Sequence, residues 1–118
     1  MAKKILVIDD DPTLIKMLET FLTAHGFEVG AAIDGDDGLA YIKDKRPDLI
    51  VLDVQMPKMN GYTFMFEFKK IPHAGNIPVI VLTAKQGMAE IFKVEGVKEY
   101  ITKPFQPEVL LTNIKKYV

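Results

Sequence analysis

Three short runs constrain this chain most: Ile5-Leu6-Val7-Ile8, Leu49-Ile50-Val51-Leu52 and Val79-Ile80-Val81-Leu82. Each is apolar at every position and rich in β-branched side chains. That pattern suits a strand covered on both faces, as in a parallel sheet, and not one with a wet side. Phe27–Ala32 and Val97–Thr102 alternate more and are weaker candidates for two further strands.

Helical signals fill the gaps. Asp11-Pro12 reads as an N-cap followed by proline at the first helical position. Leu14, Met17, Leu18, Phe21 and Leu22 then fall on one face, and Gly26 ends the element just after a solvent-facing His25. A second helix is expected to start at Asp36 or Asp37, with Asp34 to Asp37 forming a turn and helix start and not a metal site. It must stop before Pro47, because the residue preceding a proline disfavours the α region. Gly61–Lys70 is the third, although Phe64, Phe66 and Phe68 also alternate as a strand would. Met88–Val94 makes a short fourth, and Pro107–Tyr117 a fifth with Val109, Leu110, Ile114 and Tyr117 as its stripe. Five strands alternating with five helices imply an α/β fold with right-handed crossovers, a doubly wound parallel sheet with helices on both faces.

Composition narrows the function classes. At 118 residues one domain is expected, 1–118, large enough for a core without staples. There are no cysteines, so disulfides and thiolate-metal sites are excluded. A formal charge of -1 gives no general reason to expect nucleic acid or an acidic membrane as partner. The apolar run in "MAKKILVI" is too short for a signal peptide, and no run reaches the ~18 residues of a membrane span. A cytoplasmic protein is expected.

In open α/β sheets, ligands bind beyond the carboxyl ends of the strands. Here the first strand ends in Asp9 and Asp10, the third in Asp53, the fourth in Thr83 and the fifth in Lys103. Packed carboxylates disfavour one another's ionisation, and a divalent cation relieves that. With oxygen donors and no His or Cys nearby, Mg²⁺ is the natural occupant. A lysine and a hydroxyl beside it suit a phosphoryl group, whose oxygens need balancing charge and donors.

"ILVIDDD", "DLIVLDVQMPKMNG", "IPVIVLTA" and "YITKPF", in that order, resemble the receiver domain of two-component response regulators over essentially the whole chain. The resemblance implies the flavodoxin-like, CheY-like three-layer sandwich with strand order 2-1-3-4-5. It implies that Asp53 accepts a phosphoryl group from the phosphohistidine of a histidine kinase or phosphotransfer protein. Asp9 and Asp10 would hold Mg²⁺, together with Asp53 and the backbone carbonyl of Gln55. Asp11 is better explained as the helix N-cap. Lys103 would pair with Asp53 or with the phosphoryl group, and Lys103-Pro104 is a candidate cis bond. Thr83 would donate to a phosphoryl oxygen once one exists, with Ala84 keeping the approach open. Tyr100 would move into the space that Thr83 leaves, resetting a partner-binding surface. Such a domain is a self-phosphorylating and self-dephosphorylating switch, not a turnover enzyme.

The segment Lys85–Gly96 is shorter than the family usually has, so the fourth helix should be short or shifted. Gln55 and Lys85 stand where the family tunes hydrolysis, and neither looks like an efficient base. Met56, Met59 and Met65 read as gap-filling core before a docking patch, and Phe105 and Tyr117 as packing. Two rivals stand beside the receiver. Asp9-Asp10-Asp11-Pro12-Thr13 spells D-x-D-x-T, the nucleophile motif of haloacid-dehalogenase-type phosphohydrolases, in which Asp9 would be phosphorylated. A pseudo-receiver would keep the fold and only dock. The chain ends at "NIKKYV" with no output domain in view, so a stand-alone receiver or one excised from a longer protein is expected.

Overall fold

In the computed structural model, residues 2–56 and 59–118 are described; Met1, Pro57 and Lys58 lie outside them, and with Pro57 one residue of the motif that follows Asp53. The elements alternate from end to end. They are β1 (Lys4–Ile8), α1 (Pro12–Ala24), β2 (Glu28–Ala32), α2 (Gly35–Lys45), β3 (Leu49–Leu52), α3 (Gly61–Phe68), β4 (Val79–Thr83), α4 (Ala89–Val94), β5 (Glu99–Thr102) and α5 (Pro107–Lys115). All four strand pairings are parallel, in the order β2-β1-β3-β4-β5. The expected doubly wound α/β sheet is present.

Alternation along the strands divides the core in two, because successive side chains point to opposite faces. Leu6, Ile8, Ile50, Leu52, Val79 and Val81 pack with α2, α3 and α4. Ile5, Val7, Leu49, Val51, Ile80 and Leu82 pack with Leu18 and Leu22 of α1 and Leu110 and Ile114 of α5. Having a helical layer on each side explains why the three central runs are apolar at every position.

Helix boundaries follow their caps. Asp11 accepts from Thr13 N (3.0 Å) with Pro12 at the first turn, as the sequence indicates. α2 begins earlier than expected, at Gly35 and not at Asp36 or Asp37. Asp34 Oδ1 accepts from Asp37 N (2.8 Å) and Asp37 Oδ2 from Ile33 N (3.2 Å), a reciprocal arrangement that fixes the start. α3 is a helix: Phe64 and Phe68, four residues apart, stack in the core at 5.9 Å while Phe66 is exposed. Its regular part ends at Phe68, and α5 at Lys115, each with a turn following. Two stripe residues are misplaced in the sequence reading. Met17 and Val109 face solvent, because the buried stripes of α1 and α5 narrow to Leu18/Leu22 and Leu110/Ile114. Met56 and Met65 are buried and Met59 packs against the same cluster, so the methionines are core. Phe105 and Tyr117 pack against the opposite cluster. α4 is as short as expected, opened by a turn at Gly87 (φ +80°) and closed at Gly96 (φ +97°).

One close approach holds the chain between β3 and α3. Asn60 caps α3 by accepting from Thr63 N (2.9 Å), and Gly61 N donates to Val54 O (3.0 Å). A Cβ on Gly61 would sit 2.3 Å from Val54 Cγ1 and 2.8 Å from Val54 Cα. Overpacking of this kind costs about 1–3 kcal/mol. Gly61→Ala is therefore expected to lower the unfolding free energy by that amount in denaturant melts. Gly75→Ala, which meets nothing within 4 Å, should stay within about 0.5 kcal/mol of wild type; equal effects would contradict the packing assigned to Gly61.

Candidate phosphoacceptor site

The parallel register assembles the site. Ile8 lies opposite Leu52, and Thr83 opposite Thr102. Backbone bonding then runs one residue past the strand ends: Asp9 N donates to Ala32 O (3.0 Å), Asp53 N to Ile8 O (2.9 Å) and Lys103 N to Thr83 O (2.7 Å). The ladder itself therefore sets Asp9 and Asp53 side by side, with Thr83 on β4 next to Asp53 and Lys103 beyond it on the far side of β4.

Asp9 and Asp53 are buried, 2% and 7% exposed, and Thr83 is fully buried. Lys103 Nζ donates to Asp9 Oδ2 at 2.7 Å and to Asp53 Oδ2 at 3.3 Å. Asp53 Oδ1 accepts from Thr83 Oγ1 (2.7 Å) and from Gln55 N (2.9 Å). Asp9 Oδ1 accepts from Asp11 N (2.9 Å). Every oxygen of the two buried carboxylates has a donor. The Lys103-Pro104 bond is cis, as suggested by the sequence.

Electrostatics pulls the site in two directions. Burial pushes the Asp9 carboxyl above its ordinary range, and the hydrogen bonds from Lys103 and the Asp11 N–H offset that only in part. Burial by itself would lower Lys103, yet the hydrogen bond to Asp9 and the charges of Asp9 and Asp53 outweigh it and hold the ammonium above its ordinary value. Asp10 adds a third, exposed carboxylate. One oxygen each from Asp9, Asp10 and Asp53 lie within 4.8 Å of one another. Three carboxylates against one ammonium leave two formal negative charges, which one divalent cation would balance. The donors are all hard oxygens and one acid faces water, so the pocket fits a divalent metal.

The sequence-derived residues thus converge, with two findings beyond the sequence reading. Thr83 donates to Asp53 itself, and Tyr100 packs partly buried against the core. Its hydroxyl donates to Lys85 O (2.6 Å) and its ring lies 6.1 Å from that of Phe92. Burial, and after it the charge of Asp53, raises the Tyr100 phenol. Lys85 N in turn donates to Thr83 Oγ1 (3.3 Å). A continuous path runs from Asp53 through the Thr83 hydroxyl and the Lys85 backbone to Tyr100. The sequence could not disclose the Lys85 part, because a backbone role leaves no mark on residue type. Asp11 is spent on capping α1, so the second acid of the D-x-D-x-T reading is not in the pocket.

Comparison with known proteins agrees with the geometry. The family model described as the response regulator receiver domain matches residues 5–115. The chain belongs to that family. It is 40% identical over 117 residues to the protein PilG of Pseudomonas aeruginosa, covering 98% of this chain and 87% of that one. It is 42% identical over 115 residues to a probable transcriptional regulator, ycf27, of Cyanophora paradoxa, covering 96% of this chain. This chain spans about half of ycf27 (47%). Among solved structures, the chemotaxis protein CheY4 of Vibrio cholerae superposes with a TM-score of 0.92 at 30% identity, covering all of both chains. The response regulator TrrA of Thermotoga maritima, solved in complex with Mg²⁺ and BeF, gives 0.88 at 29% identity, covering 98% of this chain and 99% of that one. The acidic pocket of this receiver domain fits a phosphoacceptor. No helix among the described residues is long and apolar enough to cross a membrane.

Removing the ammonium exposes the conflict between the carboxylates. Lys103→Met should cost roughly 2 kcal/mol at neutral pH in chelator, less than the 3–5 typical of a fully buried pair because Lys103 is partly exposed. A carboxyl whose folded value is raised contributes stability at low pH and loses it as pH climbs through that value. The deficit should therefore shrink as the pH falls and Asp9, whose burial lifts it above the ordinary carboxylate range, takes a proton. A deficit independent of pH in denaturant melts would contradict the assigned ion pair.

Proposed function

We propose that this receiver domain is a phosphorylated switch in which Asp53 takes a phosphoryl group from the phosphohistidine of a histidine kinase or phosphotransfer protein. The observation that carries this is Asp53 itself: a buried carboxylate on which an ammonium, a hydroxyl and a backbone N–H all converge. In the transfer, a carboxylate oxygen of Asp53 forms a bond to phosphorus while the phosphorus–nitrogen bond breaks. The departing ring, protonated on its other nitrogen, keeps that electron pair and leaves as neutral imidazole.

Each neighbour has a part. Asp9, Asp10 and Asp53, with the carbonyl of Gln55, would hold Mg²⁺, which when bound supplies charge neutralisation for the phosphoryl oxygens. Lys103 stabilises the same developing charge from the other side. Thr83 passes its hydrogen bond from Asp53 Oδ1 to a phosphoryl oxygen, because one hydroxyl proton serves one acceptor at a time. Tyr100, tied to Thr83 through the Lys85 backbone, carries the change to the β5 edge. Two states a few kcal/mol apart suffice for the phosphoryl contacts to reverse their populations.

The domain acts in the cytoplasm by binding, not by turnover, and its partners are a kinase or phosphotransfer protein and an output protein or domain. The exposed Gln55 and Lys85 set the phosphoryl lifetime. Incubation with acetyl phosphate and Mg²⁺ should give one phosphoryl adduct by mass spectrometry. Peptide mapping should place it on Asp53, and it should be absent from Asp53→Asn and in chelator. An adduct on Asp9 would instead support a phosphohydrolase. Because neither Gln55 nor Lys85 is an efficient base, the adduct should outlast minutes; decay within seconds would contradict that role.

A further inference from the structure

A groove of about 560 Å³ lies between the segment that follows β3, the first turn of α3, and α4. Val54, Tyr62, Met88, Ile91 and Phe92 give it apolar walls, and among the described residues Lys85 is its charged lining residue. Shape and size fit the range of natural binding clefts, mostly apolar with few polar groups.

The groove is built by features already described. α4 starts only at Ala89, after the Gly87 turn, and spans six residues, so it covers little of the flank of α3. Phe92 is buried and meets Tyr62 edge-on, with ring centroids 6.4 Å apart, which fixes the aromatic wall. Tyr62 and Ile91 remain 49% and 45% exposed, an unusual outlay of large apolar surface for a free domain. The same surface continues along both helices. Phe66, one turn beyond Tyr62 on α3, and Val94 on α4 are exposed as well.

Charge selects the occupant. Lys85 is exposed at the rim, and among the described residues its ammonium pairs with no carboxylate, whereas Lys69 and Lys70 on α3's trailing end pair with Glu95 and Glu67 at 2.8 Å. Two apolar positions one helical turn apart, with a cation at one end, match a helix whose apolar stripe is flanked by acids. We propose that this groove is the docking site for an acidic amphipathic helix of a partner protein.

Docking there would communicate with Asp53, a consequence that rests on the function proposed above. Gln55 and Lys85 both line the groove. The N–H of Gln55 holds Asp53 Oδ1, and the Lys85 backbone joins Thr83 to Tyr100. A helix that fixes these two segments biases the state of the site, and by linkage the state of the site biases docking equally.

Two synthetic helical peptides with one leucine and phenylalanine stripe, flanked by glutamates in one and lysines in the other, test the proposal by amide NMR titration of the ¹⁵N-labelled chain. The glutamate peptide should shift Tyr62, Met88, Ile91 and Phe92 and bind about tenfold more tightly than the lysine peptide, ~1.4 kcal/mol. Lys85→Glu should reverse that ranking, and Ile91→Ser should weaken both; each alters an exposed side chain, and unchanged circular dichroism would verify the fold. Shifts elsewhere, or an unreversed ranking in Lys85→Glu, would overturn the proposal. Concentration-dependent line broadening without peptide, removed by Ile91→Ser, would also overturn it by assigning the groove to a second copy of the chain. Asp53→Asn should still bind the glutamate peptide, so failure of phosphorylation at Asp53 would leave this result standing.

Discussion

Parallel pairing brings like charges together, and the rest of the molecule accommodates that. Asp9 and Asp53 each follow directly on a paired position, Ile8 opposite Leu52, so neither can leave without breaking a ladder bond. The sheet behind them is apolar on both faces and excludes water from their backs. At an effective dielectric near 20, unit charges about 4 Å apart interact by roughly 4 kcal/mol. Lys103, fixed by its own bond to Thr83 O, answers part of this. What is left is a pocket of net negative charge open on the side of the exposed Asp10.

The proposed switch draws on the same packing. Asp53, Thr83, the Lys85 backbone and Tyr100 form one chain of hydrogen bonds across β4 to the edge strand β5. A hydroxyl that donates to one acceptor must abandon it to serve another, which is how the proposed function carries a new oxygen at Asp53 to Lys85. The short α4 leaves this segment accessible, beside the groove proposed above as a docking site.

Much of this was legible in the sequence, for physical reasons. Continuous β-branched runs can only be strands covered twice, and the polar residues that end them must share one edge once the strands are parallel. Asp11-Pro12 announced α1 because proline at the first turn leaves few other readings. Other features were hidden. Asp34, Asp36 and Asp37 are all competent caps, and only the bonds that Asp34 accepts from Asp37 N and Asp37 accepts from Ile33 N choose among them. Met17 and Val109 fit a helical stripe by spacing, but its width depends on how far each helix sits from the sheet. Lys85 stands out in the sequence for its side chain, whereas in the structure its backbone bridges Thr83 and Tyr100.

The claim on which the account turns is that Asp9, Asp10 and Asp53 gather round one divalent cation. Thermal unfolding of wild type and Asp10→Asn, in chelator and in millimolar Mg²⁺, tests it most directly. A cation bound only by the folded state stabilises by about 2.7 kcal/mol at 100 times its Kd. Wild type should therefore melt higher with Mg²⁺, while Asp10→Asn should melt above wild type in chelator and gain nothing from the metal. A wild type indifferent to Mg²⁺, or an Asp10→Asn protein that gains as much as wild type, would contradict the account.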